Sequence, residues 1–105
     1  MLDINNINQR YFEISFAIED GEHIRNIELK VLPPKVKTLR KFSNIKTDGD
    51  DVVNQLVDAV VTLLNRNSSG YKVSQDIIEE LDLDQIDAIF TSYMEWVHKT
   101  KNDPN

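Results

Sequence analysis

The stretch that decides the fold runs from Tyr11 to Leu32, YFEISFAIEDGEHIRNIELKVL. Its first half alternates. Phe12, Ile14, Phe16 and Ile18 fall on one face, and Tyr11, Glu13, Ser15, Ala17 and Glu19 on the other. A period of two in aromatic and β-branched residues predicts a half-buried strand. Asp20-Gly21 predicts a tight hairpin turn, because glycine tolerates the positive φ such turns demand. The second run, residues 23–32, sets Ile27, Leu29 and Val31 on one face. Ile24 falls in the opposite phase, which predicts a bulge or a twist near the turn. One face of the hairpin is thus strongly apolar. An isolated two-stranded hairpin is marginal in water, so this one either lies on the helices C-terminal to it or pairs with another chain along a free edge.

The rest of the chain reads as helix. Pro33-Pro34 ends the strand and suits a helix start. In residues 35–45, Val36, Leu39, Phe42 and Ile45 recur every third position, with Lys35, Lys37, Arg40 and Lys41 around them. This predicts a short amphipathic helix with a basic outer face. Asp48 or Asp50 is a natural N-cap for the next helix. Residues 51–65 are the most apolar of the chain. Val53, Leu56, Val57, Val60 and Leu64 make one stripe, and Val52, Val61 and Leu63 widen it. That predicts a central helix covered on more than one side, closed by Asn67-Ser68-Ser69-Gly70. Ser74 caps a short helix, residues 75–81, with Ile77, Ile78 and Leu81 inward. From Asp84 a last helix carries the stripe Ile86, Ile89, Phe90, Tyr93 and Val97 and ends near Lys99. Strands first and helices after mean an α+β domain, an N-terminal β-hairpin packed on a bundle of three to four α-helices. The expected divisions are a loose leader over 1–9, the hairpin over 10–32, the helical part over 34–99 and a frayed tail over 100–105.

The chain has 105 residues, which fits one domain. With no cysteine, it has no disulfide, thiol nucleophile or thiolate metal site. Hydrophobic residues at 40% and charged residues at 29% describe an ordinary globular protein. The net charge of −6 weighs against broad binding to nucleic-acid phosphates. No apolar run reaches the ~18 residues of a membrane span, and residues 1–10 lack the layout of a signal peptide. The expectation is a soluble intracellular protein that needs no membrane.

A search for chemistry finds little. His23 and His98 stand near opposite ends, with no third ligand pattern. The acids at Asp48, Asp50 and Asp51 suggest calcium, but Gly49 and Ala59 fall where the common loop requires other residues. A turn and helix-start acids explain them better. Ser68, Ser69 and Ser74 lack the frame of a nucleophile elbow. Glycines at 21, 49 and 70 form no phosphate loop. No catalytic residue, metal ligand or cofactor site is assigned, and the chain is read as a non-enzyme.

The unusual feature is the separation of charge. Residues 29–46 carry Lys30, Lys35, Lys37, Arg40, Lys41 and Lys46 and no acid. Residues 73–97 carry Asp76, Glu79, Glu80, Asp82, Asp84, Asp87 and Glu95 and no base. Three readings stand. The patches face each other within the fold, at ~0–1 kcal/mol per exposed pair. Or they are complementary surfaces between chains. Or the basic face over residues 30–46 serves a small nucleic-acid-associated regulator, although Phe42 belongs to the inner stripe and no stacking platform accompanies the charges. A small hydrolase with a carboxylate site ranks below these.

The joint ELKVLPPKVKTLRKF (residues 28–42), the central apolar helix and the ending SQDIIEELDLDQIDAIFTSYMEWV (residues 74–97) together resemble the tail assembly chaperones of long-tailed bacteriophages and prophages. The joint departs from that pattern in carrying Lys37-Thr38, where an Asp often precedes the helix. The resemblance implies a scaffold rather than a catalyst. Such a protein coats the tape-measure protein, helps recruit tail-tube subunits, works in the host bacterial cytoplasm and is absent from the mature virion. A longer frameshifted product is common in that family. Binding would be helix-in-groove or face to face. The candidate contacts are Tyr11, Tyr71, Tyr93, Met94 and Trp96, since Tyr and Trp are frequent hot spots, together with the basic Lys35, Lys37, Arg40 and Lys41. The sequence leaves open whether the chain forms a homo-oligomer.

Overall fold

The computed structural model describes residues 1–4, 10–46 and 49–102, the last three of these in backbone only. The elements are β1 (Phe12–Asp20), β2 (His23–Val31), α1 (Val36–Ser43), α2 (Val52–Leu64), α3 (Gln75–Ile78) and α4 (Leu83–Asn102). This is the expected α+β order, one antiparallel hairpin followed by four helices.

The two strands pair without interruption from Phe12 opposite Val31 to Asp20 opposite His23. The central turn residues are Gly21 and Glu22. Gly21 has φ of +67°, while no described non-glycine residue has positive φ, the pattern of a II′ turn. No bulge accompanies Ile24. It pairs in register with Glu19 and stands 73% exposed on the outer face. A single apolar residue on a polar face needs no backbone irregularity to house it.

The inner face of the hairpin supplies Ile18, Ile27, Leu29 and Val31 to the core, with Phe12, Ile14 and Phe16 half-buried against it. The helices provide the rest. α2 packs against α4, α3 and β2 and buries Leu56, Val57, Ala59, Val60, Leu63 and Leu64. Val53 lies outside this stripe and is exposed, so the expected apolar face is rotated away from it. α1 turns Phe42 inward, but its first residue, Val36, is 67% exposed. A helix this short seats only its second turn on the core. α4 buries Ile86, Ile89, Tyr93 and Val97 and half-buries Phe90, close to the predicted stripe.

Two helix starts differ from each other. Ser74 caps α3, its hydroxyl accepting a bond from the Ile77 N–H at 3.3 Å. The cap of α2 is Asp51 rather than Asp50, and its side chain makes no cap bond. It accepts instead from Asn54 Nδ2 at 2.8 Å. The alternative Asp48 lies outside the described residues. α4 continues through residue 102, past the expected end near Lys99. Residues 103–105 of the expected tail and 5–9 of the expected leader lie outside the described residues.

The turn between α2 and α3 does more than close a helix. Asn67 is buried, and its side chain is fully engaged. Nδ2 donates to the Leu64 and Tyr71 carbonyls at 2.8 and 2.7 Å, while Oδ1 accepts from the Tyr71 N–H and Ser69 hydroxyl, each at 3.0 Å. Asn65 clamps Val73 in the same way, donating to its carbonyl and accepting from its N–H. The backbone of residues 66–68 docks on the end of β2. Leu32 N–H donates to the Arg66 carbonyl at 2.8 Å, and Ser68 N–H to the Lys30 carbonyl at 2.9 Å. Gly70, at φ +74°, turns the chain back toward α3.

Candidate functional site

α1 presents its charges outward. Lys35, Lys37, Arg40 and Lys41 are all exposed, around the equally exposed Val36. Leu39 and Phe42 hold the opposite side against the core. The spacing forces this: positions three and four apart share a face. Asp76, Glu79, Glu80, Asp82, Asp84, Asp87 and Glu95 are likewise exposed on and between α3 and α4. Among the described residues the ion pairs are Arg25–Asp20 and Lys30–Glu13, both at 4.0 Å between exposed groups of the hairpin. None joins the basic residues of α1 to the acids of α3 and α4. Each patch thus keeps its charges exposed, with no direct ion pair to the other among the described residues.

The aromatic candidates divide. Tyr93 has no exposed surface at all and belongs to the core, which corrects its placement as a contact residue. Its ring meets Phe12 edge-on at 5.5 Å and Phe42 at 6.4 Å, and its hydroxyl donates to the Leu32 carbonyl at 3.1 Å. It thus ties β1, α1 and the end of β2 to α4. Burial pushes its hydroxyl pKa up to about 12, with Arg66 and Arg10 pulling the other way. Trp96, one turn on, is half-buried. It packs on Phe12 at 5.8 Å and on Tyr93 at 5.7 Å. Its other side is covered by the Arg10 guanidinium, 4.3 Å from the ring centre. Arg10 also donates to the Trp96 and Val97 carbonyls at 3.3 and 3.4 Å. This clamp ties the start of the hairpin to the end of α4. Arg10 has no partner in the sequence pattern to announce it.

Met94 is half-buried and, with Phe90, Thr91, Glu95, His98 and Lys99, lines an open apolar groove of about 680 Å³ on the far side of α4. Tyr71 is half-buried beside β2, where its hydroxyl accepts a bond from the Arg25 guanidinium. Tyr11 is exposed at the entry to β1. The candidates therefore gather at no single point. α1 holds the basic set, α4 holds Met94 and Trp96, and Tyr71 sits with Arg25 against the hairpin.

His23 and His98 are both exposed. Among the described residues no group of three or more His, Cys, Asp or Glu stands together to hold a metal ion, and no helix is long and apolar enough to cross a membrane. No protein-family profile, curated protein or solved structure matches this chain.

Proposed function

We propose that this protein is a non-enzymatic assembly chaperone of a long-tailed bacteriophage or prophage, binding the tape-measure protein and helping to recruit tail-tube subunits in the host bacterial cytoplasm. The observation that carries the reading is the exposed basic face of α1, unpaired with the acidic face of α3 and α4. Exposed opposite charges with no direct ion pair between them can orient different partners, and charge governs orientation and encounter more than affinity. The half-buried Met94, at the open groove of α4, adds apolar contact area. The resemblance of residues 28–42 and 74–97 to that family supplies the identity of the partners.

Co-expression tests it. A long helical tape-measure protein of a long-tailed phage is expected to stay soluble and to co-purify only when this chain is present. Equal solubility with and without it rejects the reading. A second reading, a nucleic-acid-associated regulator, draws on the same exposed α1 residues. It requires affinity for DNA or RNA that falls steeply with salt, and an absence of binding at low salt removes it.

A further inference from the structure

The edge of β1 remote from β2 faces a groove. Asp20 and His23 flank a two-residue turn and form a hydrogen-bonded pair, so the pairing alternates down the hairpin from there. Residues 12, 14, 16, 18 and 20 of β1 spend their backbone groups on β2. Glu13, Ser15, Ala17 and Glu19 point theirs away from it. The other side of the hairpin confirms this phase: Lys30, the partner of Glu13, directs its carbonyl outward to the Ser68 N–H. The far edge of β2 is thus partly taken by residues 66–68. Among the described residues no strand pairs with the outer edge of β1.

Beside that edge runs an open groove of about 450 Å³, lined by Phe12, Ile14, Ser15, Phe16 and Ala17 on one side and by Leu81, Gln85, Ala88, Ile89 and Ser92 on the other. Its lining is mostly apolar, and its α4 wall includes the small residues Ala88 and Ser92 alongside Gln85 and Ile89. β1 carries no lysine, no proline and no bulge to block its edge. Its charges are acidic. Glu13 and Glu19 stand exposed on the outer face, and exposed Asp84 and Glu95 lie on the Ala88 stripe of α4, one turn before it and two turns after.

We propose that this edge accepts an extended segment of a basic partner protein as a third strand, its apolar side chains filling the groove over α4 and its Lys or Arg side chains lying opposite Glu13 and Glu19. Strand addition takes affinity from main-chain hydrogen bonds and specificity from alternate side chains. The charges choose the occupant. A second copy of β1 would bring another pair of glutamates onto the same face, and like charges across strands destabilise the pairing. A strand with basic residues at alternate positions meets them with opposite sign. The site is separate from the α1 face, so it stands or falls independently of the chaperone reading.

The test uses the full chain and a blocked heptapeptide alternating valine and lysine, followed by amide NMR shifts. Saturable binding is expected, with the largest shifts at Ser15, Ala17 and Ala88. The same peptide with alternate backbone amides N-methylated, or with glutamate in place of lysine, is expected to bind about tenfold or more weakly, since each loses one of the two recognition terms. Ala17→Pro removes an outward N–H while sparing the bonds to β2, and is expected to weaken binding to a similar degree with the helical circular dichroism unchanged. Should that variant unfold, Glu13→Lys with Glu19→Lys, which touches only exposed side chains, is expected to weaken it as well. Absence of binding, shifts centred on α1, indifference to N-methylation, or a chain that dimerises through β1 without peptide would each overturn the proposal.

Discussion

Asn67 is the buried polar residue of the described chain, and three backbone groups depend on its side chain. Replacing it with alanine leaves the Leu64 and Tyr71 carbonyls and the Tyr71 N–H without their partner. Unsatisfied buried groups cost ~1–3 kcal/mol each, partly relieved by water. Asn67→Ala is therefore expected to lower stability by about 3 kcal/mol, measured as a shift of the urea midpoint at unchanged slope. Tyr93 offers a sharper signature. Its hydroxyl titrates at about 12 in the folded chain against 10.0 for an ordinary tyrosine. Between those values the unfolded chain gives up the proton and the folded chain keeps it, so stability falls as pH rises through this window. Below pH 10 the contribution is complete. Tyr93→Phe lacks it, so the stability difference between the native chain and this variant is expected to shrink from pH 9 to pH 12. A difference independent of pH over that range would contradict the buried hydroxyl. Neither role was fully legible in the sequence. Asn67 reads as one more turn residue in Asn-Ser-Ser-Gly, because its four partners come from the turn itself and leave no pattern. Tyr93 carried two opposed signals: its residue type suggested a contact hot spot, while its place in the Ile86–Ile89–Val97 stripe pointed to the core, and packing decided for the stripe.

At the scale of elements, periodicity was the reliable guide where an element was long. The alternation of β1 and the stripe of α4 are both present in the fold. It misled at Val36 and Val53, apolar residues of a recognised stripe that face solvent, whereas Ile24 lies on the outer face where the alternation put it, without the bulge read from it. A face is set by what an element touches, and Val36 and Val53, each within the first turn of its helix, both stand exposed. Opposite outcomes are expected on α1 as a result. Val36→Ser is expected to change stability by less than ~0.5 kcal/mol, as for most exposed sites. Phe42→Ala, which removes a ring packed on Phe90 and Tyr93, is expected to cost about 3–5 kcal/mol. Thermal or urea unfolding of the two variants side by side checks the orientation of the helix. For α3, a single short turn, the Ser74 cap is a visible fraction of its stability, and Ser74→Ala is expected to cost about 1 kcal/mol.

At the scale of the whole molecule, the net charge of −6 sums a basic face on α1 and an acidic one on α3 and α4 that no direct ion pair among the described residues joins. The sequence showed the separation but left open whether folding would bring the halves together, since that depends on how α1 is placed relative to α4. Among the described residues the ion pairs that do form are confined to the hairpin, so the exposed charges of α1 are available to another molecule. The most direct measurement is quantitative co-purification of the long helical partner with the native chain and with a variant carrying Lys35→Glu, Lys37→Glu, Arg40→Glu and Lys41→Glu, at one fixed salt concentration. All four positions are exposed, so the variant is expected to keep its fold while losing most of the partner. Recovery of the partner at the native level, from a variant that remains folded, would contradict the claim that this partner is bound through the basic face of α1.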